Sequence, residues 1–294
     1  MIGNIDSILK NNPQYQGMED SVEKELLQHD ILEVLKKEGV LKDLVFIGGT
    51  SLRLCYNSSR LSEDLDFNAG FDFDARSLSG LEESIKTFLE AKYEIAVNVI
   101  LPKDNSSNTS TWKVTLEREA MRPDLPHRRM HIDICALPSF DVQRRAIINH
   151  YGIPSTVSGL ILPVQSIAET LVDKMIALAY RPRRIKPRDV WDIVWLQQQG
   201  GVQARAVLQD KLSARDKHTD DFLHRLSLNV EKIIGDKETY QDFDQEMSRF
   251  VPGKVAQETL KNAEFWPYVG STVADQMQIS KRLLLNKQNP PFNM

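Results

Sequence analysis

Apolar residues recur with two different spacings along the chain. Between about residues 40 and 140, short apolar runs alternate with polar positions, which is typical of half-buried strands. From about Leu162 onwards, apolar positions recur every three or four residues, which is typical of amphipathic helices. The pattern therefore predicts an α+β lobe (mixed α/β) with a small mixed sheet, followed by an all-helical C-terminal lobe.

The same pattern predicts individual elements of the first lobe. Helices are expected over 19–38, with Gly39 as a C-terminal stop, and over roughly 79–91. Strands are expected over 93–101, 112–116 and 131–137, with a polar turn at 103–110 between the first two. Because 294 residues exceed the usual size of one hydrophobic core, we expect two domains, residues 1–160 and residues 161–294.

The segment Val-Phe-Ile-Gly-Gly-Thr-Ser-Leu-Arg, residues 45–53, predicts a strand that turns directly into a helix. Glycines allow such a sharp turn, and the first backbone N–H groups of the helix would converge on one point. The positive end of the helix dipole lies at the same place. This arrangement favours a phosphate group as ligand.

Three aspartates are candidate ligands for a metal ion. Asp64 and Asp66 lie on either side of Leu65, so on a strand both carboxylates leave the same face. Such hard oxygen ligands beside a phosphate site suggest Mg²⁺ and a nucleoside triphosphate. Asp133, in the middle of another predicted strand, would add a third ligand and allow two Mg²⁺ ions. It could instead simply accept hydrogen bonds from a neighbouring segment.

In the helical lobe, Ser166 predicts a helix start, and Lys174 then falls on the apolar stripe of that helix. A lysine at such a position either extends to the surface or holds a phosphate. Five of the eight residues 181–188 are basic, and they form either a solvated loop or a docking patch for RNA or triphosphate. Asp189 and Asp192 share one face of the next helix, and the helix dipole accounts for Asp189 better than for Asp192.

Overall composition excludes few functions. A net charge of −4 and a pI near 5.9 give no global nucleic-acid signature, so any RNA contact needs a local basic patch. Cys55 and Cys135 are too few for a disulfide framework and lack metal-binding spacing. No leader segment and no apolar stretch of 18 residues is found. We therefore expect a cytoplasmic protein without a membrane partner.

Four segments together resemble the AbiEii/AbiGii toxin family. They are Ile-Gly-Gly-Thr-Ser-Leu-Arg, Arg-Leu-Ser-Glu-Asp-Leu-Asp-Phe, Glu-Thr-Leu-Val-Asp-Lys-Met and Lys-Pro-Arg-Asp-Val-Trp-Asp-Ile. This family consists of nucleotidyltransferase toxins of type IV toxin–antitoxin and abortive-infection systems, with a polymerase-beta-like catalytic core. The resemblance covers roughly residues 40 to 200, and the C-terminal helices add little to it.

The resemblance implies roles for individual residues. Gly48, Gly49 and Thr50 would hold the β- and γ-phosphates of the NTP, with Ser51 close by. Asp64 and Asp66 would bind Mg²⁺ or Mn²⁺. Arg60 and Ser62 would bind nucleotide or orient the aspartates. Lys174 would be the lysine of the family's third motif and would pair with phosphate oxygens. Either Asp189 or Asp192 would be the acidic residue of its fourth motif. The helical lobe would thereby complete the active site.

The resemblance also implies a function. The better understood members of the AbiEii/AbiGii family modify the acceptor end of tRNA and so block translation. Each of them is paired with an antitoxin. We therefore expect a growth-inhibiting nucleotidyltransferase that acts on RNA, foremost the 3′ end of tRNA, with a separate antitoxin protein. Two alternatives stay open: an enzyme of the same fold that modifies a protein or a small molecule, and a catalytically silent NTP-binding module.

Overall fold

The computed structural model describes residues 5–103, 108–117 and 128–286, and the chain in it forms two compact units. The first unit runs to Gln165 and also includes Phe250–Lys254. The second unit comprises Ser166–Arg249 and the residues from Val255 onwards. The predicted boundary at residue 160 thus falls just before the last strand of the first unit, and the chain later returns to that unit.

The first unit combines helices with one mixed sheet. Its described helices are α1 (Ile5–Asn11), α2 (Glu19–Lys37), α3 (Gly48–Tyr56) and α4 (Leu81–Tyr93). Its described strands are β1 (Val45–Ile47), β2 (Leu65–Asn68), β3 (Val97–Ile100), β4 (Thr109–Leu116), β5 (Arg128–Cys135), β6 (Val142–Ala146) and β7 (Ile161–Gln165). Short 3₁₀ turns lie at Pro13–Tyr15, Val40–Lys42 and Ala75–Leu78.

The seven described strands are ordered β3-β4-β5-β2-β1-β7-β6. β2 pairs with β5, and β1 with β7, in parallel, while the other neighbours are antiparallel. One row of paired residues crosses four strands, from Ile47 through Asp66 and Asp133 to Thr111. Because directly paired residues point to the same side of a sheet, these side chains share one face.

The opposite face of the sheet forms the core with the helices. Phe46 and Phe67 stack there with ring centroids 5.1 Å apart. The same buried cluster includes Leu27, Ile31, Leu35, Leu81, Ile85, Leu89, Trp112, Ile132 and Val164. Burial of this apolar surface fixes which face of each strand points inward, so the face with Asp66 is the one left for polar chemistry.

Some sequence predictions about these elements were wrong. The strand expected over 93–101 is only Val97–Ile100, because Leu81, Ile85, Leu89 and Tyr93 are buried at helical spacing and extend α4 through Tyr93. β6 and β7 were not predicted: β6 is mostly exposed and contains two arginines, so it lacks an apolar alternation. The expected polar turn is shortened by β4, and its residues 104–107 lie outside the described residues.

Beyond Gln165 the described secondary structure is helical. The helices are α5 (Ile167–Tyr180), α6 (Pro187–Gln198), α7 (Arg205–Ala214), α8 (Thr219–Gly235), α9 (Lys237–Met247), α10 (Gly253–Glu258) and α11 (Phe265–Leu285). Ser166 Oγ accepts a hydrogen bond from the Glu169 N–H at 3.0 Å, which is the predicted cap of α5. Of the helices described, none combines the length and the apolar character that crossing a membrane requires.

Candidate active site

The sharp turn between β1 and α3 is built around Gly48. Its φ is +76°, and a Cβ added there would lie 2.5 Å from Asp66 Oδ2. A Cβ at Gly49 would lie 2.3 Å from Arg60 Nη2. Gly48 is therefore required for its backbone conformation, and Gly49 is required because a side chain would have no space there. The first N–H groups of α3 consequently start next to the Asp66 carboxylate.

The hydroxyl groups of Thr50 and Ser51 are used inside the protein. Both residues are fully buried. Thr50 Oγ1 donates to the carbonyl oxygen of Asp64 at 2.5 Å, and Ser51 Oγ donates to the carbonyl oxygen of Gly48 at 2.9 Å. These bonds fix the turn and tie it to Asp64. What the turn offers to an anion is therefore its backbone N–H groups.

Arg60 and Ser62 are also buried, with exposed fractions of 2% and 7%. The Arg60 guanidinium donates to the carbonyl oxygen of Leu61 at 3.0 Å. The side chains of Arg60 and Ser62 both pack against Gly49, so closely that a Cβ there would clash with each of them. Of the two roles that the resemblance allows, positioning the glycine turn and the aspartates fits this burial better than direct contact with nucleotide.

Asp64 and Asp66 lie at the start of β2, beside the glycine turn. Asp64 precedes the strand, and its Oδ1 accepts a hydrogen bond from the His131 N–H at 3.0 Å. The His131 ring nitrogen Nδ1 lies 3.6 Å from the same oxygen. Asp66 pairs in register with Ile47 on one side and with Asp133 on the other. The two carboxylates are thus held by strand register and by one backbone donor.

Asp133 is half-buried, and its Oδ1 accepts a hydrogen bond from Thr111 Oγ1 at 2.5 Å. Burial raises the pKa of Asp133, the Thr111 hydrogen bond opposes that rise, and the nearby Asp64 carboxylate adds to it. In the described part of the chain, no group of three or more His, Cys, Asp and Glu side chains is arranged to hold a metal ion. The three-aspartate metal cluster therefore stays a prediction.

The residues nevertheless fit a divalent cation bound together with a triphosphate. Mg²⁺ is usually bound by one or two carboxylates, while waters and substrate phosphates complete its coordination. Asp64 and Asp66 are two such carboxylates, and the Asp66 carboxylate packs directly against the Gly48 turn. Asp64 and Asp66 would hold the cation, and the N–H groups of the turn would face the phosphates.

In the second unit, Lys174 is bound by two aspartates. Its Nζ lies 2.9 Å from Asp189 Oδ1 and 2.9 Å from Asp192 Oδ2. The Lys174 side chain is 12% exposed, and those of Asp189 and Asp192 are 4% and 0% exposed. Lys174 therefore does not extend to the surface as an unpaired charge. Both candidate acids, Asp189 and Asp192, contact it at the same distance.

Asp189 also accepts a hydrogen bond from Arg181 Nε at 2.9 Å. Burial by itself would raise the pKa of Asp189, but Lys174 and Arg181 outweigh burial and lower the pKa well below its ordinary range. Asp189 is therefore ionised at neutral pH, and its charge is balanced within the second unit.

The basic run 181–188 is only partly available to an external ligand. Arg184 pairs with Asp242 at 2.5 Å and with Glu246 at 2.8 Å, and Arg188 lies 3.3 Å from Glu246. Burial together with Arg181 and Arg188 lowers the pKa of Lys186. Several arginines of this run therefore have carboxylate partners within the same unit.

Three residues near the aspartates were not predicted to belong to the site: His131, Thr111 and Lys113. His131 contacts Asp64, and Thr111 contacts Asp133. Lys113 is exposed and pairs in register with His131. Alternation along β4 places Thr111 and Lys113 on one face, but only the register with β5 shows which residues they meet.

Comparison with known proteins decides the family. The sequence matches the family described as "Nucleotidyl transferase AbiEii toxin, Type IV TA system" over residues 30–267. The chain belongs to this family. The resemblance drawn from the four sequence segments is thereby confirmed, and the AbiEii match extends well beyond residue 200 into the helical unit. A comparison with curated proteins found no match.

Solved structures confirm the mixed α/β fold class with a helical C-terminal region. One similar structure is MenT4, the nucleotidyltransferase toxin Rv2826c from Mycobacterium tuberculosis H37Rv, with 16% identity and a TM-score of 0.58. The match covers 94% of this chain and 89% of that chain. JHP933 from Helicobacter pylori shows 16% identity and a TM-score of 0.50 over 90% of this chain and 93% of that chain. At 16% identity, this likeness shows that the chains share a fold.

Proposed function

We propose that this AbiEii-family chain transfers a nucleotide from an NTP to an RNA acceptor, with the 3′ end of tRNA as its target. The observation that carries the proposal is the position of the Asp66 carboxylate against the Gly48 turn. Carboxylates for a metal ion and N–H groups for phosphate meet there, as transfer from a triphosphate requires. Loss of functional tRNA would stop translation and growth, in keeping with a toxin.

The N–H groups at the start of α3 would bind the β- and γ-phosphates, and Asp64 and Asp66 would hold Mg²⁺ or Mn²⁺. Bound metal supplies charge neutralisation for the α-phosphate and the leaving pyrophosphate. The acceptor 3′ oxygen forms a bond to the α-phosphorus, and the bond to the bridging oxygen breaks with its electron pair. The hydroxyl proton passes to solvent. The residues of the chain contribute chiefly positioning and electrostatic stabilisation.

The remaining roles follow from the resemblance to the family. Lys174 is assigned to a phosphate of the same reaction, with Asp189 and Asp192 orienting its ammonium group. Asp133 is assigned as a further metal ligand on a different ground, because it pairs in register with Asp66 on the neighbouring strand. A cognate antitoxin, encoded as a separate chain, is proposed because the family acts in type IV toxin–antitoxin systems. The proposed place of action is the cytoplasm, where tRNA is found.

A protein or small-molecule acceptor is the second candidate. The observation that favours it is the pairing of Arg184 and Arg188 with acids of their own unit, which reduces the positive charge available for RNA. The overall charge of −4 points the same way. A catalytically silent NTP-binding module is disfavoured, because neighbouring carboxylates repel one another unless a cation is bound between them.

The deciding experiment incubates purified protein with Mg²⁺, total bacterial tRNA and each of the four α-labelled triphosphates in turn. A denaturing gel then shows whether RNA is labelled. We expect label with the wild type and with Asp43→Ala, which removes an exposed carboxylate elsewhere in the first unit. We expect none with Asp66→Ala.

Two results would contradict the proposal. Undiminished labelling by a folded Asp66→Ala protein would remove Asp66 from the mechanism. Absence of label on every RNA, from wild-type protein shown by calorimetry to bind Mg²⁺-NTP, would instead favour the second candidate. A protein extract incubated with the same labelled triphosphates would then identify a protein acceptor.

A further inference from the structure

The polar face of the sheet carries a pair of basic residues beside the aspartates. Lys113 on β4 lies directly opposite His131 on β5. Opposed residues of antiparallel strands have Cβ atoms about 5 Å apart. Lys113 is exposed, and the His131 side chain is 44% exposed. Since His131 contacts Asp64, the pair begins at the edge of the candidate metal site.

Lys113 is also available to a ligand. Within the described residues its side chain makes neither a hydrogen bond nor an ion pair, and the charge of that side chain acts through space on Asp133. By contrast, several cations of the second unit are bound to carboxylates. An ammonium group with three unused donors, near the Asp133 carboxylate, can neutralise a phosphate that arrives there.

The strand order shows on which side of the candidate metal site Lys113 and His131 lie. β1 with the glycine turn, β2 with Asp66, β5 with Asp133 and β4 with Lys113 follow one another across the sheet. Neighbouring strands are about 4.8 Å apart, so β4 lies roughly 10 Å from β2, on the side away from the turn. In an in-line transfer the attacking and leaving oxygens lie on opposite sides of the phosphorus. A pyrophosphate held at the turn therefore requires the acceptor to approach from the side of β5 and β4.

We propose that Lys113, with His131 beside it, binds the phosphodiester of the terminal nucleotide of the RNA acceptor. This inference rests on the proposed function, because it takes the acceptor to be RNA and the glycine turn to hold pyrophosphate. Lys113 is a binding residue in this assignment: it places the 3′ hydroxyl in line with the α-phosphorus without contacting the reacting atoms. A phosphate contact of this kind is independent of base identity.

The first measurement is binding without catalysis. Fluorescence anisotropy of a labelled single-stranded RNA, without NTP or Mg²⁺, should show about tenfold weaker binding for Lys113→Ala. The slope of log K against log salt should become shallower by about 0.7, as expected when one contact to single-stranded phosphate is lost. Lys113→Arg should restore both values, because it keeps the positive charge.

The second measurement is steady-state transfer. Lys113→Ala should raise the KM for RNA about tenfold and leave the KM for NTP unchanged, because the lysine contacts only the acceptor. Arg144→Ala is the matched control: Arg144 is an exposed cation on β6, at the opposite edge of the same sheet. Its removal should leave the RNA constants unchanged. Thermal melting shows that each variant is folded.

The failures of the two proposals can be told apart. If the wild type binds Mg²⁺-NTP but labels no RNA, the proposed function fails. If the wild type labels RNA while Lys113→Ala keeps the wild-type KM and salt dependence, only the Lys113 assignment fails. A rise in the KM for NTP alone would also overturn the assignment, because it would place the nucleotide on this side of the aspartates.

Discussion

The ammonium group of Lys174 lies 2.9 Å from a carboxylate oxygen of Asp192, whose side chain is fully buried. Removing one partner of a buried ion pair leaves an uncompensated charge, which typically costs about 3 kcal/mol or more. Lys174→Met should therefore lower the free energy of unfolding by about 3 kcal/mol, measured by urea denaturation.

The double variant Lys174→Met/Asp192→Asn is the control for that prediction. It removes both charges, while Asp189 keeps Arg181 as its partner. It should regain at least half of the lost stability, and transfer by this stable protein then tests the catalytic role of the Lys174–Asp192 pair separately from folding. A single variant as stable as the wild type would show that the pair contributes nothing to stability.

Gly48→Ala should impair both stability and transfer. Its φ is +76°, and the new Cβ would lie 2.5 Å from Asp66 Oδ2, so the carboxylate must move. Gly39→Ala isolates the backbone effect, because Gly39 has a φ of +71° and no atom within 4 Å of an added Cβ. We expect a loss of about 1 kcal/mol for Gly39→Ala from the left-handed conformation alone.

The Gly48 variant should lose more stability than the Gly39 variant and, unlike it, should label RNA at least tenfold more slowly. Urea denaturation and the labelling assay measure the two quantities. Equal losses of stability with unchanged labelling would mean that Asp66 tolerates displacement, and the proposed metal site would then have to be reconsidered.

Arg53→Lys should destabilise the first unit although it conserves charge. The guanidinium donates to Glu25 at 2.9 Å, to the carbonyl oxygen of Ser58 at 3.1 Å and to Tyr15 Oη at 2.8 Å, and it is 2% exposed. A lysine ammonium cannot reproduce this planar arrangement. We expect a loss of about 2 kcal/mol in the free energy of unfolding.

Arg76→Lys provides the matched exposed case for Arg53. Arg76 pairs with Asp74 at the surface, so its replacement should leave the denaturation midpoint unchanged. If Arg53→Lys were equally silent, the buried hydrogen bonds of Arg53 would not be contributing to stability.

Stability should fall in mildly acidic solution. Burial is the main cause that lowers the pKa of both His29 and His150 below the ordinary value of 6.5. Between the lowered folded pKa and 6.5, the unfolded chain binds more protons, so protonation favours unfolding. The stability that the two neutral histidines contribute is therefore fully present above pH 6.5 and is lost as the pH falls below that value.

Urea denaturation at about pH 7.5, 6.5 and 5.5 measures this dependence. The slope between the two lower values should be shallower for His29→Gln than for the wild type. An unchanged slope would mean that His29 is already protonated in the folded protein or titrates normally.

Local sequence was sufficient for the centre of the candidate site. A short apolar run, two glycines and a helix-forming segment specify the turn without reference to distant residues, and Asp64 and Asp66 follow it closely. The roles of Thr50 and Arg60 were less accessible, because burial decides whether a polar side chain meets a ligand or the protein interior. Burial depends on packing that no local pattern contains.

Contacts across strands could not be predicted for a related reason. The spacing of two on β4 identifies the face of Lys113, but its opposition to His131 depends on the register of two strands far apart in sequence. Tyr93 shows the converse ambiguity. It fits both the alternation of the following strand and the helical spacing of α4, and tertiary burial selects the helix.

The return of Phe250–Lys254 to the first unit has a consequence for how the protein is made. The buried N–H of Leu61, between Arg60 and Ser62, donates to the carbonyl oxygen of Phe250 at 2.8 Å. A nascent chain that has emerged only as far as Gln165 contains all seven described strands but lacks the Phe250 carbonyl oxygen that accepts from this donor. The segment beside the glycine turn gains this hydrogen bond only when translation has passed Phe250, so a ribosome has finished most of the chain before the segment has all its partners.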